Sequence, residues 1–455
     1  MSGRGVPTAH EPASLLALAE RLVAEATRAG ASEAEALVIA EASALTRFAN
    51  SEIHQNVAEE NIRSSLRFVV DRRVGVAASG RTDADGLAAL VERAAAIARN
   101  AAELPDWGGL PEPEPVAPLP AAFAAATAEA TPERRADGVR AVIAAADAAG
   151  VLAFGSFATG LEGVAVANSR GVRAAEARTA AHLLTVAIGP DGGSGYAEAA
   201  ATSIEVIDPA AIGREAAAKA KAAANPIALE PGDYPVVLEE YAVVDLLDML
   251  GYLGFSALAV QEGRSFFEPG RRIGSELVTI RDDATDPATL PAAFDYEGVP
   301  KTPVVLVEAG VCRDLVYDAQ TAARAGRRST GHGLPAPNPW GPFPTNMLME
   351  PGGATREELL GGLDRGLLVT RFHYTNPVHP KLAIVTGMTR DGTFLVEGGR
   401  IVGPVRNLRY TQSYLDALAG IEAVGRERRT LRGFLGGVAV PAVRIAAWTF
   451  TGATE

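Results

Sequence analysis

Two carboxylates, Glu239 and Glu240, stand side by side in the stretch YPVVLEEYAVVDLLDML (residues 234–250), where a short apolar strand over 235–238 runs directly into a helix. Paired acids at such a junction can do general acid/base work or bind a metal when a cation or an activated water is at hand. They also suit a purely structural end, because acidic groups in a first helical turn meet the macrodipole and its unpaired N–H groups. The residues themselves favour this second role. Further along the helix, Glu240, Val244 and Asp248 share a face, as do Tyr241, Asp245 and Asp248. A carboxylate-bound Mg²⁺ or Ca²⁺ is conceivable there, although acids are common on helix surfaces.

The six histidines are His10, His54, His182, His332, His373 and His379. Only HYTNPVH brings two together, His373 and His379, and these are the pair that could ligate a metal. The alternative, which the Asn-Pro step favours, is a polar loop lining a cleft. In GRRSTGHG (residues 326–333), glycines flank two arginines, Ser329, Thr330 and His332, so the backbone can approach a ligand closely. Ser329 and His332 could act as nucleophile and base, but the sequence fixes no carboxylate to orient the histidine. Cys312 lies in an apparent hairpin and reads as a small packed side chain.

These side chains need a scaffold. The chain has 455 residues, 48% of them hydrophobic and 21% charged, which predicts a globular protein of two to four domains. A net charge of −13 with no dense basic run argues against nucleic acid or an anionic membrane as partner. One cysteine allows no internal disulfide, the N-terminal stretch lacks the apolar core of a signal peptide, and no long uncharged apolar run is present. The expected location is cytoplasmic.

Helical spacing over 13–30, strand-like alternation through 34–80 and a second helix over 83–101 define an N-terminal α+β domain, residues 1–105. A proline-rich linker, 106–120, follows. A middle α/β domain, 121–225, runs from a helix near 131 through strands to an Ala-rich helix. From 226 to 455, short β-like runs alternate with Gly turns, and PVVLVEAGVCRDLVYD and GTFLVEGGRIVGPVRN both read as hairpins. The predicted class is α+β: mixed α/β domains, then a predominantly antiparallel, barrel-like C-terminal domain.

The phrases FDYEGVPKTPVVLVEAGVCRDLVYDAQTAARAGRRSTGHG (294–333), DRGLLVTRFHYTNPVHPKLAIVTGMTRDGTFLVEGGRIVGPVRN (364–407) and NSEIHQNVAEENIRSSLRFVVDRRVGVAASG (50–80) resemble the TldD/PmbA family of peptidase-related proteins along nearly the whole chain. The resemblance implies a choice between two kinds of member. TldD-like members carry a helical His-Glu-x-x-x-His zinc motif after an apolar strand and a cysteine ligand near the C-terminus; TldE/PmbA-like members lack the motif and pair with the zinc-bearing subunit. Laid on that motif, Glu239 takes the first histidine position, Glu240 the glutamate and Val244 the second histidine, and residues 432–443 hold no cysteine.

The resemblance therefore implies a zinc-free subunit that completes the peptide-binding chamber of an HExxxH-bearing partner in proteolysis or peptide maturation. Zinc is expected in the partner, no cofactor in this chain, and an unfolded or extended peptide as substrate. A homodimer would hold no zinc ligand set, so a heterodimer is expected, with self-association as a homodimer the alternative. The alternative is a stand-alone enzyme with different chemistry on a peptide or natural-product precursor. The resemblance also places GRRSTGHG, with Ser329, Thr330 and His332, near a substrate cleft. Thr389 and Arg390 in GMTRDGTF lie on a strand that could satisfy its own backbone or offer donors to an extended peptide.

Overall fold

A computed structural model describes residues 11–453; His10 lies outside them. In the N-terminal half, helices α1 (Pro12–Arg28), α2 (Ala84–Asn100), α3 (Ala125–Ala128), α4 (Pro132–Ala149) and α5 (Pro209–Ala222) surround strands β1 (Glu33–Ala49), β2 (Glu52–Val70), β3 (Arg73–Ser79), β4 (Leu152–Asn168), β5 (Arg173–Ile188) and β6 (Ser194–Ala201). The strands form one antiparallel sheet in the order β3-β2-β1-β4-β5-β6. β1 pairs with β4 from Glu35–Asn168 to Phe48–Gly155, so the sheet is continuous across segments 1–105 and 121–225.

Length explains how one sheet carries two helix pairs. At 17 residues each, β1 and β4 reach about 57 Å. Ala153, Phe157, Ala165 and Ala167, all on one face of β4 by alternation, divide between two cores: the first two pack with α4 and α5, the others with α1 and α2. The opposite face offers Leu37, Val164 and Val166 to Phe294 of the C-terminal half.

The proline-rich segment has no regular structure, but it is tied down. Trp107 Nε1 donates to Glu33 Oε2 at 2.7 Å, Gln320 Nε2 donates to Gly109 O at 2.9 Å, and Asp106 and Glu114 pair with Arg324 and Arg328.

The C-terminal half contains β7 (Gly232–Leu238), α6 (Glu240–Leu253), α7 (Ala257–Gln261), β8 (Ile280–Asp282), β9 (Val304–Glu308), β10 (Val311–Cys312), α8 (Ala319–Ala325), β11 (Met347–Met349), α9 (Arg356–Gly361), β12 (Arg365–His379), β13 (Ile384–Glu397), β14 (Arg400–Pro404), β15 (Leu408–Ser413), α10 (Tyr414–Ala419), β16 (Ile421–Arg432) and β17 (Gly437–Ala453). Strands β17, β15, β13, β12 and β7 pair in sequence, and β7 pairs back onto β17, closing a ring. Most pairings are antiparallel; β7 with β12 is parallel. Closure consumes the outer hydrogen-bonding edges that an open sheet would leave. Both predicted hairpins form, as β9–β10 and β13–β14.

α6 is apolar on nearly every side, which a helix adopts when protein surrounds it. It packs on β12, β16 and β17. Among the described residues no helix is long and apolar enough to cross a membrane.

Candidate functional site

Leu238 ends β7, Glu239 is the N-cap of α6, and Glu240 is its first residue. The Glu239 N–H bonds Val369 O on β12 at 3.0 Å, and its carbonyl accepts from Ala242 and Val243, which fixes the angle between strand and helix. The expected capping role fails for the Glu239 side chain, which makes no bond to the helix N-terminus. Its carboxylate, 1% exposed, is spent on Lys219 Nζ of α5 at 2.6 Å and on Arg356 of α9. Burial alone would raise its pKa, but the two cations outweigh burial and hold it below the ordinary value.

Glu240 lies 3.8 Å from Arg429 of β16 and is raised by burial, partly offset by that arginine. Arg429 Nη1 also donates to Glu215 Oε2 and to the Tyr241 hydroxyl, each at 2.7 Å. Glu215 accepts from Lys219 at 2.8 Å; burial opposes its ionisation, yet Lys219 and Arg429 bring it down to about 2. Three carboxylates and three cations from four separate elements thus meet around the first turn of α6.

This donor set does not fit zinc. A catalytic zinc takes three nitrogen, sulfur or oxygen ligands with lone pairs to give. Here Glu239 is saturated by two cations, Val244 is a buried hydrocarbon, and residues 432–443 of the β16–β17 hairpin contain no thiol. Lys219, Arg356 and Arg429 supply the positive charge locally. Among the described residues no three His, Cys, Asp or Glu side chains gather in a way that could hold a metal ion.

The acids further along α6 have separate partners rather than a shared centre. Asp245 accepts from Thr375 Oγ1 at 2.7 Å and from the Tyr414 hydroxyl at 3.0 Å; burial raises it to about 6. Asp248 accepts the Phe434 N–H at 3.0 Å and is raised by burial to about 8.

His373 and His379 lie on β12, not in a loop, which corrects the loop reading. His379 Nδ1 accepts the Leu382 N–H at 3.3 Å, and His373 stacks edge-on against Tyr374. Burial, then Arg390 and Arg371, lower His373.

In GRRSTGHG, Ser329 Oγ donates to Tyr317 O at 3.1 Å, and Thr330 Oγ1 accepts the Tyr317 N–H at 2.8 Å. His332 is 1% exposed and uses both ring nitrogens, Nδ1 with Thr330 Oγ1 at 2.9 Å and Nε2 with Asp282 Oδ1 at 2.8 Å. The orienting carboxylate that the sequence did not fix is therefore Asp282 on β8. Buried in this way, His332 is closed off from solvent, and the line Asp282–His332–Thr330 ties β8 to the 326–333 loop. Thr389 is fully buried and accepts from Thr393 Oγ1 at 2.7 Å and the Leu408 N–H at 3.0 Å. Arg390, its neighbour, is exposed.

A cleft of about 530 Å³ opens beside the carboxylate–cation group. Its lining includes Glu198 to Ser203, Phe123, Val206, Ile207, Ile212 and Arg429, so one arginine belongs both to the cleft and to the α6 turn. Sequence reasoning missed this cleft and its cations. The Glu215–Lys219 pair at helical spacing was the available signal, but nothing local points it toward Glu239.

Fold and site together define an α+β protein with a strand-to-helix junction at which paired buried acids are met by cations from three other elements. Residues 34–98, 116–224 and 231–452 match domain 1, the central domain and the C-terminal domain of PmbA/TldA metallopeptidases. The chain belongs to the TldD/PmbA family of metallopeptidase-related proteins.

Among relatives, a "Metalloprotease TldD homolog" of Buchnera aphidicola subsp. Schizaphis graminum is 29% identical over 211 residues, 44% of this chain and 42% of that protein. A "Metalloprotease" of Methanothermobacter thermautotrophicus is 28% identical over 290 residues, 60% of this chain and 63% of that protein. The aligned stretches thus span less than two thirds of these relatives. Among solved structures, TldE from Thermococcus kodakarensis superposes with a TM-score of 0.88 at 22% identity, covering 96% of this chain and 100% of that one. A Thermotoga maritima protein described as a putative modulator of a DNA gyrase gives 0.85 at 22% identity, covering 96% and 99%. At such identities these two likenesses speak to the fold alone.

Proposed function

We propose that this chain is a TldE-type, zinc-free subunit that completes the peptide-binding chamber of an HExxxH-bearing partner, with hydrolysis carried out in the partner chain. The observation that carries this reading is the replacement at the α6 turn: Glu239 and Val244 stand at the two histidine positions, and Lys219 and Arg356 neutralise Glu239. A turn whose carboxylate is already balanced by side-chain cations keeps its fold without a metal and gives up the activated water that hydrolysis needs.

The reading is tested by two measurements on one preparation. Elemental mass spectrometry of the purified, tag-free chain is expected to find less than about a tenth of an equivalent of zinc, because a complete ligand set is absent. Co-expression with an HExxxH-bearing family member is expected to yield a complex of equal stoichiometry that hydrolyses unfolded peptide. Near-stoichiometric zinc in the isolated chain, or hydrolysis by that chain alone, would overturn the assignment.

A further inference from the structure

The first half of β2 is an edge that no other strand covers. β2 runs from Glu52 to Val70, but β3 pairs with it only from Ser64 to Val70, so the outer side of residues 52–63 has no strand beside it. All of these residues except Val57 and Ile62 are exposed. The β2–β3 turn fixes which backbone groups face outward. Asp71 and Arg72 both have positive φ, the type I′ geometry of a two-residue hairpin, so Val70 and Arg73 exchange both backbone bonds. In the same phase, and without a register shift on the β1 side, Ser64 turns toward β3, and Glu60, Ala58 and Asn56 turn their N–H and C=O groups into the open edge. Val69, in the opposite phase, accepts the Ser32 N–H from the β1 side at 2.8 Å.

An open edge is commonly guarded by charge. Here the guards are Glu52, His54, Glu59, Glu60 and Arg63, none of which forms an ion pair among the described residues. His54 is also the extra residue of a β-bulge and has no partner on β1. These charges repel most strands, but they match a second copy of the same strand. Antiparallel pairing about a two-fold axis at Val57 sets Asn56 opposite Ala58, Gln55 opposite Glu59, His54 opposite Glu60, Ile53 opposite Asn61 and Glu52 opposite Ile62, each pair occurring on both sides of the axis. No like charges face each other, His54 and Gln55 can donate to the carboxylates opposite, and the two Val57 side chains meet on the axis.

The hydrogen-bond phase permits slips of two residues only, which moves the axis one residue at a time. With the axis at Ala58, Glu52 falls opposite Ser64, whose edge β3 already fills. With the axis at Asn56, Glu52 meets Glu60. Each further step toward the turn shortens the ladder. The axis at Val57 thus gives the longest ladder that stays clear of β3 and keeps the acids apart.

We propose that two copies of this chain pair through the open edge of β2, residues 53–61, antiparallel about a two-fold axis at Val57, joining their six-stranded sheets into one. The inference does not rest on the zinc-free reading. β2 lies four strands from β6, about 19 Å across the sheet, and the pairing involves neither α5 nor α6.

The test uses the full chain alone. Sedimentation equilibrium at micromolar concentrations should show a reversible dimer. His54→Glu sets carboxylate against carboxylate at two symmetric places and should weaken the dimer about tenfold; adding Glu60→Lys should restore it to within about threefold, since the pair is then reversed rather than lost. Both positions are exposed, so neither change threatens the fold. Register is read by cross-linking. Val57→Cys places two sulfurs in a non-hydrogen-bonded pair with Cα atoms about 4.5 Å apart, within disulfide reach. With diamide as oxidant it should cross-link at least about tenfold faster than Gln55→Cys, whose copy lies about 14 Å away along the strand. The native Cys312 is buried and does not compete. A monomer at every concentration, a dimer indifferent to the exchange of His54 and Glu60, or equal cross-linking at positions 55 and 57 would overturn the proposal. A dimer with these properties in a chain that carries zinc would leave it standing while the subunit reading falls, and a monomer that still assembles with an HExxxH-bearing chain would do the reverse.

Discussion

At the scale of single residues, Glu239 shows how a buried acid at a strand-to-helix junction is held as a structural group. A buried carboxylate is tolerable only if its charge is met, and two cations meet it. Lys219→Met keeps the length of the side chain and leaves Glu239 with Arg356 alone. We expect a loss of about 3 kcal/mol at pH 7, read from urea unfolding, and recovery of much of it in Lys219→Met combined with Glu239→Gln, since the second change removes the charge left unmatched. A double variant no more stable than the single one would show that Lys219 acts through packing on the Tyr241 ring, over which its Nζ sits at 4.8 Å. The acids of this site were legible in the sequence because they are adjacent. Their partners were not, because they come from α5, α9 and β16, and ion pairs between distant segments leave no periodic trace.

At the scale of elements, spacing revealed the helices flanking the first sheet and the two C-terminal hairpins, each a local pattern with its own turn chemistry. It failed at β12, where Asn376-Pro377 reads as a loop. The structure explains the failure: β12 pairs with β7 only over Leu367–Val369, so by Pro377 its second edge is open, and a missing N–H costs no ladder bond. α6 was legible as a helix but not as a buried one, and burial changes its acids. Asp248, raised to about 8, holds its proton in the folded state above the pH at which an unfolded aspartate releases it. A raised group contributes stability that is complete below the unfolded pKa and is lost as pH rises through the folded one, so the descent lies between about pH 4 and pH 8. Asp248→Asn keeps an acceptor for the Phe434 N–H and removes the titration. The variant should be the more stable protein at pH 8 by ~5 kcal/mol, with the difference vanishing near pH 4. Urea midpoints for both proteins across that range make the comparison; parallel curves would mean that Asp248 titrates as an ordinary carboxylate.

At the scale of the whole molecule, the sequence separates two N-terminal units at a proline-rich segment, whereas β1 and β4 pair along their length. Alternation along a strand is the same whichever neighbour it has, so pairing between segments is settled only in three dimensions. The same holds for the junction between the first sheet and the C-terminal half. There Arg67 of β2 stands 3.4 Å from Glu35 of β1 and 3.3 Å from Glu297, whose other oxygen accepts the Ala319 N–H at 2.8 Å. Burial raises Glu35 to about 8 and Asp295 to about 7, with Arg67 pulling Glu35 down and neighbouring acids pushing both up. Arg67 is thus the cation that allows several buried acids to share one interface. Arg67→Met should cost ~3 kcal/mol near pH 7. It should also steepen the fall in stability between pH 6 and pH 9, because without the arginine Glu35 and Glu297 keep their protons to still higher pH in the folded state, and a raised folded pKa loses stability as pH climbs through it. Urea unfolding followed by tryptophan emission suits the question, since Trp107 reports the tied-down segment and Trp448 the interior of the C-terminal ring. A variant with the wild-type midpoint and the wild-type pH slope would show that the junction is held instead by its other contacts, the Arg178–Tyr296 hydroxyl bond of 2.8 Å and the Glu176 bonds to the Ala293 N–H.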